Sequence, residues 1–297
     1  MSLTNFPNGA SSFGIPLMGN GNQDISGSTY FVDGNSGSDS NEGSEWTKAF
    51  KTVGKAIAIS HADMARGSDR WARRNTIFIA GDRFEEDLTT LPQKTDIIAV
   101  GSCDGFKRAI IRGTHAITSG TGTRLIGVGF DASSAAAIVT LTGCSGIEFI
   151  GCEFNATGSA TATCAIDSTA TIHLKIVDCN FIGAFSGDVI DIGAGAANGT
   201  RIVGNQIVGG ADNGIVITGV ATATDSQRGL IADNYIDVAD IVIDTRATSV
   251  FACINNICIS GEALGAGSYV IDLTFAAKNI ITGNDVSVGV PSWTTVA

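Results

Sequence analysis

Two interleaved series of short apolar runs mark most of the chain. The first reads RLIGVGF, EFIGCEF, KIVDCNF, RIVGNQI, IADNYI, CINNIC and ITGNDV, aligned at Val128, Cys152, Cys179, Asn205, Asn234, Asn256 and Asn284. Its steps, by difference, are 24, 27, 26, 29, 22 and 28 residues. The second reads AIVTL, AIDS, VIDI, VITG, VIDT and VIDL. It is anchored at Val139, Ile166, Ile190, Ile217, Ile243 and Ile271, with steps of 27, 24, 27, 26 and 28. Each run is too short for a helix and alternates like a strand. A repeat of roughly 25 residues holding two or three short strands, stacked many times, predicts a parallel β-solenoid.

One coil is too thin to bury its own apolar face, so the coils must stack and bury Val, Ile, Leu and Cys between them. An asparagine repeated at one turn position can form a ladder of side-chain amide hydrogen bonds along the stack. Asn205, Asn234, Asn256 and Asn284 suit this role, with Cys152 and Cys179 replacing them in earlier coils. The variable step falls in Gly/Ala/Ser/Thr stretches such as GAGAANG and GVATATDSQ, expected on protruding loops. Upstream of the ladders, Phe50, Val53 and Ile57 are spaced as one apolar helix face.

Composition agrees with short strands and tight turns: 38 Gly against 4 Pro, with 7% aromatic residues. The formal net charge of −11 argues against a nucleic-acid surface or an anionic membrane as partner. The N-terminus lacks a basic start followed by an apolar run, and no segment has the ~18 apolar residues of a membrane helix. Seven cysteines, an odd number with no Cys-x-x-Cys pair, make a poor disulfide framework and a poor zinc site. Reduced, buried thiols in a cytosolic setting are expected.

The stretch YFVDGNSGSDSNEG, Tyr30 to Gly43, gathers three acids and two asparagines. A calcium loop of the EF-hand kind needs oxygen ligands at its first, third and fifth positions and a Glu at the twelfth. Counted from Asp33, Gly37 falls at the fifth position and Ser44 at the twelfth; counted from Asp39, Gly43 and Phe50 do. A Gly/Asn/Asp turn between a first strand and a helix is therefore expected, with no cofactor.

The segment NTIFIAGDRFEEDLTTLPQKTDIIAVGSCDGFKRAIIRG resembles the first coils of the pectin-lyase-like superfamily. There an apolar strand, Gly, an aromatic, Glu and L-x-x-L recur, as at Ile77–Ile79, Gly81, Phe84, Glu85 and Leu88. YFVDGNSGSDSNEGSEWTKAFKTVGKAI resembles the opening of the same superfamily: strand, turn, then a capping helix near FKT. Ala49 stands where many members have Pro. The resemblance, over about Thr29 to Val288, implies an all-β, single-stranded right-handed parallel β-helix. It is silent on chemistry, since this fold hosts lyases, hydrolases, esterases, adhesins and virus spikes.

Candidate chemistry centres on the residues after the second-ladder anchors: Thr140, Asp167, Asp191, Thr218, Asp244 and Asp272. Stacking would set Asp167 beside Asp191 and Asp244 beside Asp272, and glycoside hydrolysis uses paired carboxylates. A solvent-facing structural row explains the same pattern. The Gly-His-Gly, Asn-Thr-Asp and Arg-x-Pro-x-x-Arg signatures of enzymes on this fold are missing, and His61, His115 and His173 are dispersed. With three Trp and three Tyr, aromatic platforms for sugar are few. Arg124, Lys175 and Arg201, each four residues before its ladder position, form a possible cationic row for an acidic partner.

TNFPNGASSFGIP resembles N-terminal peptides of tailed-phage virion proteins, with Phe6, Pro7, Phe13, Ile15, Pro16 and Leu17 as apolar docking beads. The expected organisation is an extended docking arm (1–28), an opening strand, turn and capping helix (29–75), solenoid coils (76–288) and a tail (289–297). SVGVPSWTTVA after the last coil holds no trimerisation or host-binding domain, so closure of that end by this tail or by oligomerisation is expected. The resemblance and the missing enzyme motifs point to a virion structural protein assembled in host cytoplasm, a capsid decoration or head-fibre subunit. A homotrimer docked on other virion proteins is expected. The alternative is a tailspike-like depolymerase or receptor-binding protein meeting surface polysaccharide along the Asp row.

Overall fold

The computed structural model describes residues 10–12, 15–18, 27–65, 73–81, 83–101, 109–157, 161–193, 198–210, 212–218, 229–245, 251–261, 271–272 and 280–288. These residues form three parallel sheets of ten, nine and seven strands, wound as a β-solenoid. One coil visits the sheets in turn: Lys175–Val177 in the first, Asn180–Phe185 in the second, Ile190–Ile192 in the third. The next coil repeats this with Arg201–Val203, Gln206–Gly210 and Ile215–Ile217, paired in register. The expected all-β parallel solenoid is thus the fold found.

Alternation decides what each strand buries. Phe149, Ile176, Ile202 and Ile231 point inward from the first sheet, and Val139, Ile166 and Ile190 from the third. In the second sheet Phe130, Phe154 and Phe181 occupy one inward row. Their rings stack at 5.2 Å and 4.9 Å with interplanar angles of 12° and 4°. Stacked rings at this spacing follow from strand separation, ~4.8 Å, and add to the area they bury.

Between first and second sheets the chain bends through one residue with positive φ: Gly127, Gly151, Asp178, Gly204, Asp233, Asn255 and Gly283 in successive coils. Gly and Asp or Asn tolerate that left-handed conformation. The next residue is the ladder position, and the ladder forms as its spacing predicts. Asn234 Oδ1 accepts from Asn205 N and Nδ2, both at 2.9 Å, and Asn234 Nδ2 donates to Ile202 O at 2.9 Å and Asn256 Oδ1 at 2.8 Å. Asn256 Nδ2 continues to Asn284 Oδ1 at 2.9 Å. The cysteines imitate half of this: Cys152 Sγ donates to Leu125 O and Cys179 Sγ to Phe149 O, each a carbonyl of the preceding coil. All are buried except Asn284, which is half-buried.

A helix, α1 (Val53–Met64), packs against the strands Thr29–Asp33 and Asn75–Ala80 at the start of the first sheet. Its inward side carries Val53, Ala56, Ile57, Ser60 and Met64. Phe50, spaced to share that face, lies instead before the helix, bridged to Val32, because Thr52 is the N-cap and stops the helix there. Ala49 has φ −64° and ψ 150°, a conformation proline would also adopt.

The acidic stretch is occupied by its own architecture. Asp33 Oδ1 accepts from Asn35 N and Ser36 N, closing a turn. Asp39 accepts from Lys51 N, Thr52 N and Thr52 Oγ1 at 2.9, 3.0 and 2.8 Å, and Glu42 pairs with Lys48. Each carboxylate thus shapes the turn or anchors the helix start. The cap is completed from the solenoid: the Glu86 carboxylate accepts from Val53 N and Gly54 N, both at 2.8 Å. Charge-assisted bonds to free helix donors also favour the helix dipole. Glu86→Ala is expected to lower stability by about 1–2 kcal/mol in urea unfolding, and Glu86→Gln by less.

Candidate functional site

The third sheet carries the acidic row on its outward positions. Thr140, Asp167 and Asp191 stand in register on adjacent strands, as the spacing predicts, and Asp244 in register with Asp272. The coil between them differs from expectation. Ile215, not Ile217, pairs with Ile190 and Ile243, so Val216 fills the row and Thr218 lies beyond the strand. A slip of two residues keeps every side chain on the same face, so alternation within Ile215–Ile217 gives no signal against it.

Val216 is fully buried and Asp244 is 3% exposed, so the row does not continue as an open flank. The Asp167 and Asp191 pair remains, both half-buried. Burial pushes the Asp167 carboxyl above its usual range. Behind them lies Cys164, whose Sγ donates to Ile166 O and Val189 O. Its thiol is pushed up by burial and, to a lesser degree, by the charges of Asp167, Asp191 and Asp188. Asn213 Nδ2 donates to Asp188 at 2.6 Å, tying the neighbouring corner. Among the described residues no three His, Cys, Asp or Glu side chains converge to hold a metal ion.

The cationic row is only partly cationic. Its register runs Asp96, Arg124, Glu148, Lys175, Arg201 across the first sheet. Arg124 binds Asp96 through Nε at 2.7 Å and Nη2 at 2.5 Å, Arg74 joins the same carboxylate at 2.7 Å, and Lys175 meets Glu148 at 2.7 Å. The hydrogen bond to Asp96 raises Arg124 further. Among the described residues Arg201 alone of the three predicted cations makes no ion pair. Glu148 sits at the same offset before its ladder position, Cys152, so spacing alone could have found it, whereas Asp96 precedes the first ladder position.

His115 is the residue whose place the sequence reading left undefined. It belongs to His115–Ile117 and pairs with Val139, so it points into the core like an anchor of the second series. Its exposure is 0%. Nδ1 accepts from Leu88 N at 3.1 Å, the ring meets Phe130 edge-on at 5.5 Å, and Nε2 makes no hydrogen bond among the described residues. Burial lowers its pKa from 6.5 to about 4. The pattern His115-Ala116-Ile117 matches Val139-Thr140-Leu141, a signal that alternation offered. His61 sits in α1, and His173 is exposed at a turn with φ 56°.

In the arm, Ala10–Ser12 and Ile15–Met18 form an antiparallel hairpin that shares no ladder with the three solenoid sheets. Ile15, Pro16 and Leu17 lie in its second strand. Phe6, Pro7 and Phe13 lie outside the described residues.

Together these features define a parallel β-solenoid with one half-buried carboxylate pair and largely neutralised charge rows. The crystal structure of pectate lyase Pel9A is similar to it, with a TM-score of 0.53 and 13% identity over 89% of this chain and 78% of that one. That likeness shows the fold and no more. A rhamnogalacturonan lyase also matches, with a TM-score of 0.30 and 13% identity over 87% of each chain. No family model matches the chain, and no curated protein is similar to it in sequence.

Proposed function

We propose that the chain is a non-enzymatic structural subunit of a bacteriophage particle, a capsid decoration or head-fibre protein attached through its N-terminal arm. The observation that carries this reading is the state of the outward rows. The acidic row is interrupted by Val216 and closes over Asp244, while Arg124 and Lys175 are held in ion pairs within the chain. Chemistry on a polymer needs an acid, a base and charge stabilisation gathered at one open groove. The described faces offer a regular exterior instead. Among the described residues the arm's hairpin pairs only with itself, which suits an element that reaches a neighbouring subunit.

Deleting residues 1–27 should abolish incorporation into particles while the circular dichroism and melting of the solenoid stay as in the full chain. Normal incorporation of the truncated chain would defeat the reading.

A second reading rests on Asp167 beside Asp191. A carboxyl raised by burial next to another carboxylate is the arrangement of a general acid and its partner. Were the chain a depolymerase or a receptor-binding protein, host capsule or lipopolysaccharide would bind it. In the depolymerase case it would also release oligosaccharides, and Asp167→Asn or Asp191→Asn would end the release. The structural reading expects no release from the wild-type chain.

A further inference from the structure

Among the described residues the third sheet begins at His115–Ile117. The segment one coil earlier, residues 86–91, is no strand and is held by individual bonds instead. Those bonds tie the cap to the solenoid. Glu86 holds the start of α1 through Val53 N and Gly54 N, the Asp87 carboxylate accepts from Thr114 N at 2.7 Å, and Leu88 N donates to His115 Nδ1. The fit is close: a Cβ on Gly113 would lie 2.2 Å from Glu86 O and 2.9 Å from His115 Cε1. In turn α1 holds the root of the arm, with Ser28 Oγ donating to Asp63 at 2.7 Å.

The Leu88 bond exists in one protonation state only. Because Nδ1 is the acceptor, the neutral ring carries its hydrogen on Nε2, and a second proton can enter only at Nδ1. Two N–H groups then face each other at a residue of 0% exposure, where bulk water does not supply a new acceptor. Few charges bear on the ring. Asp87, on the same segment, favours its protonated form, against the larger effect of burial. Glu86 is engaged with α1. On Ile110–Gly113 and Gly129–Ala132, Arg112 and Asp131 take outward positions and pair with Glu85 and Arg83, and Val139–Thr142 carries no charge.

We propose that His115 is an acid-sensitive latch: its protonation releases residues 86–88, and with them the Glu86 hold on α1, while the later coils stay folded. The latch belongs to the folded chain and does not depend on the virion reading. Opening returns the ring to its ordinary affinity for protons, so acid drives the opening. With values of about 4 closed and 6.5 open, the open fraction grows about twentyfold from pH 7 to pH 5, where ordinary glutamates are still mostly ionised.

The test is native-state hydrogen exchange of the full chain, expressed as protection factors so that the intrinsic effect of pH is removed. Between pH 7 and pH 5 the amides of Leu88, Val53 and Gly54 should lose about twentyfold in protection. Those of Lys175, Arg201 and Gln206, which bond to the preceding coil, should keep theirs. This contrast is read within the wild-type chain and so holds whether or not a variant folds. His115→Gln offers Leu88 N an acceptor that does not titrate, and its protection should stay level over the same range. Unchanged protection at Leu88 in the wild-type chain, an equal loss in the glutamine variant, or a loss shared by the later coils would each overturn the proposal.

Discussion

Asn234→Ala is expected to lower the stability of the solenoid by about 3–4 kcal/mol in urea unfolding, the largest effect of any single polar substitution described. The side chain stands in the middle of the ladder at 1% exposure. It accepts from two donors of Asn205 and donates to Ile202 O and Asn256 Oδ1. Each buried hydrogen bond contributes about 1 kcal/mol net, and a donor left without its partner costs about 1–3 kcal/mol. The alanine variant leaves Asn205 N without the acceptor it uses and opens a gap that bulk water reaches poorly. Asn234→Cys separates the two halves of the effect. A thiol can still donate to the Ile202 carbonyl, as Cys152 and Cys179 donate to Leu125 and Phe149, but it replaces the amide acceptor badly. Its loss should fall between wild type and alanine. A loss below about 1 kcal/mol for alanine would show that backbone pairing between coils, not the ladder, holds this corner.

Acid should weaken the fold through His115. The folded-state pKa is about 4 and the ordinary value 6.5, so between these the unfolded chain binds the proton and the folded chain does not. Stability therefore rises with pH across that window. It is complete above 6.5 and declines as pH falls through 4, by about 3 kcal/mol in full. The cause is desolvation first; the Ile111 carbonyl and the Asp87 charge oppose it weakly. Asp131 and Asp167, both pushed up by burial, bias the slope the opposite way. The measure is consequently the difference between wild type and His115→Leu, in stability profiles from pH 7 to 4. The variant should be less stable at pH 7, because Leu88 N loses its acceptor, yet have the shallower acid slope. Parallel profiles would mean that His115 takes up its proton as readily in the folded chain as in the unfolded one.

The two apolar series, the strand type, the asparagine ladder and its cysteine substitutes were all legible in the chain, because each follows from a period and the chemistry of one side chain. A repeated Asn can satisfy itself only against the same residue one coil away, so spacing alone implies the contact. The turn Tyr30–Gly43 was legible for a related reason: its acids fail the spacing of a calcium loop, and the structure finds Asp33 and Asp39 accepting from nearby backbone donors.

What the sequence by itself determined is therefore the solenoid and its inner ladder. Only the tertiary structure decided the outer surface. Register in Ile215–Ile217 was invisible because a two-residue slip preserves alternation, and with it went the continuity of the acidic row. The pairing of Arg124 and Lys175 with Asp96 and Glu148 depends on which coils touch. Periodicity specifies which side a residue faces, and stacking specifies its neighbours. Function on a solenoid belongs to neighbours on the outside, where no buried core forces the sequence to repeat.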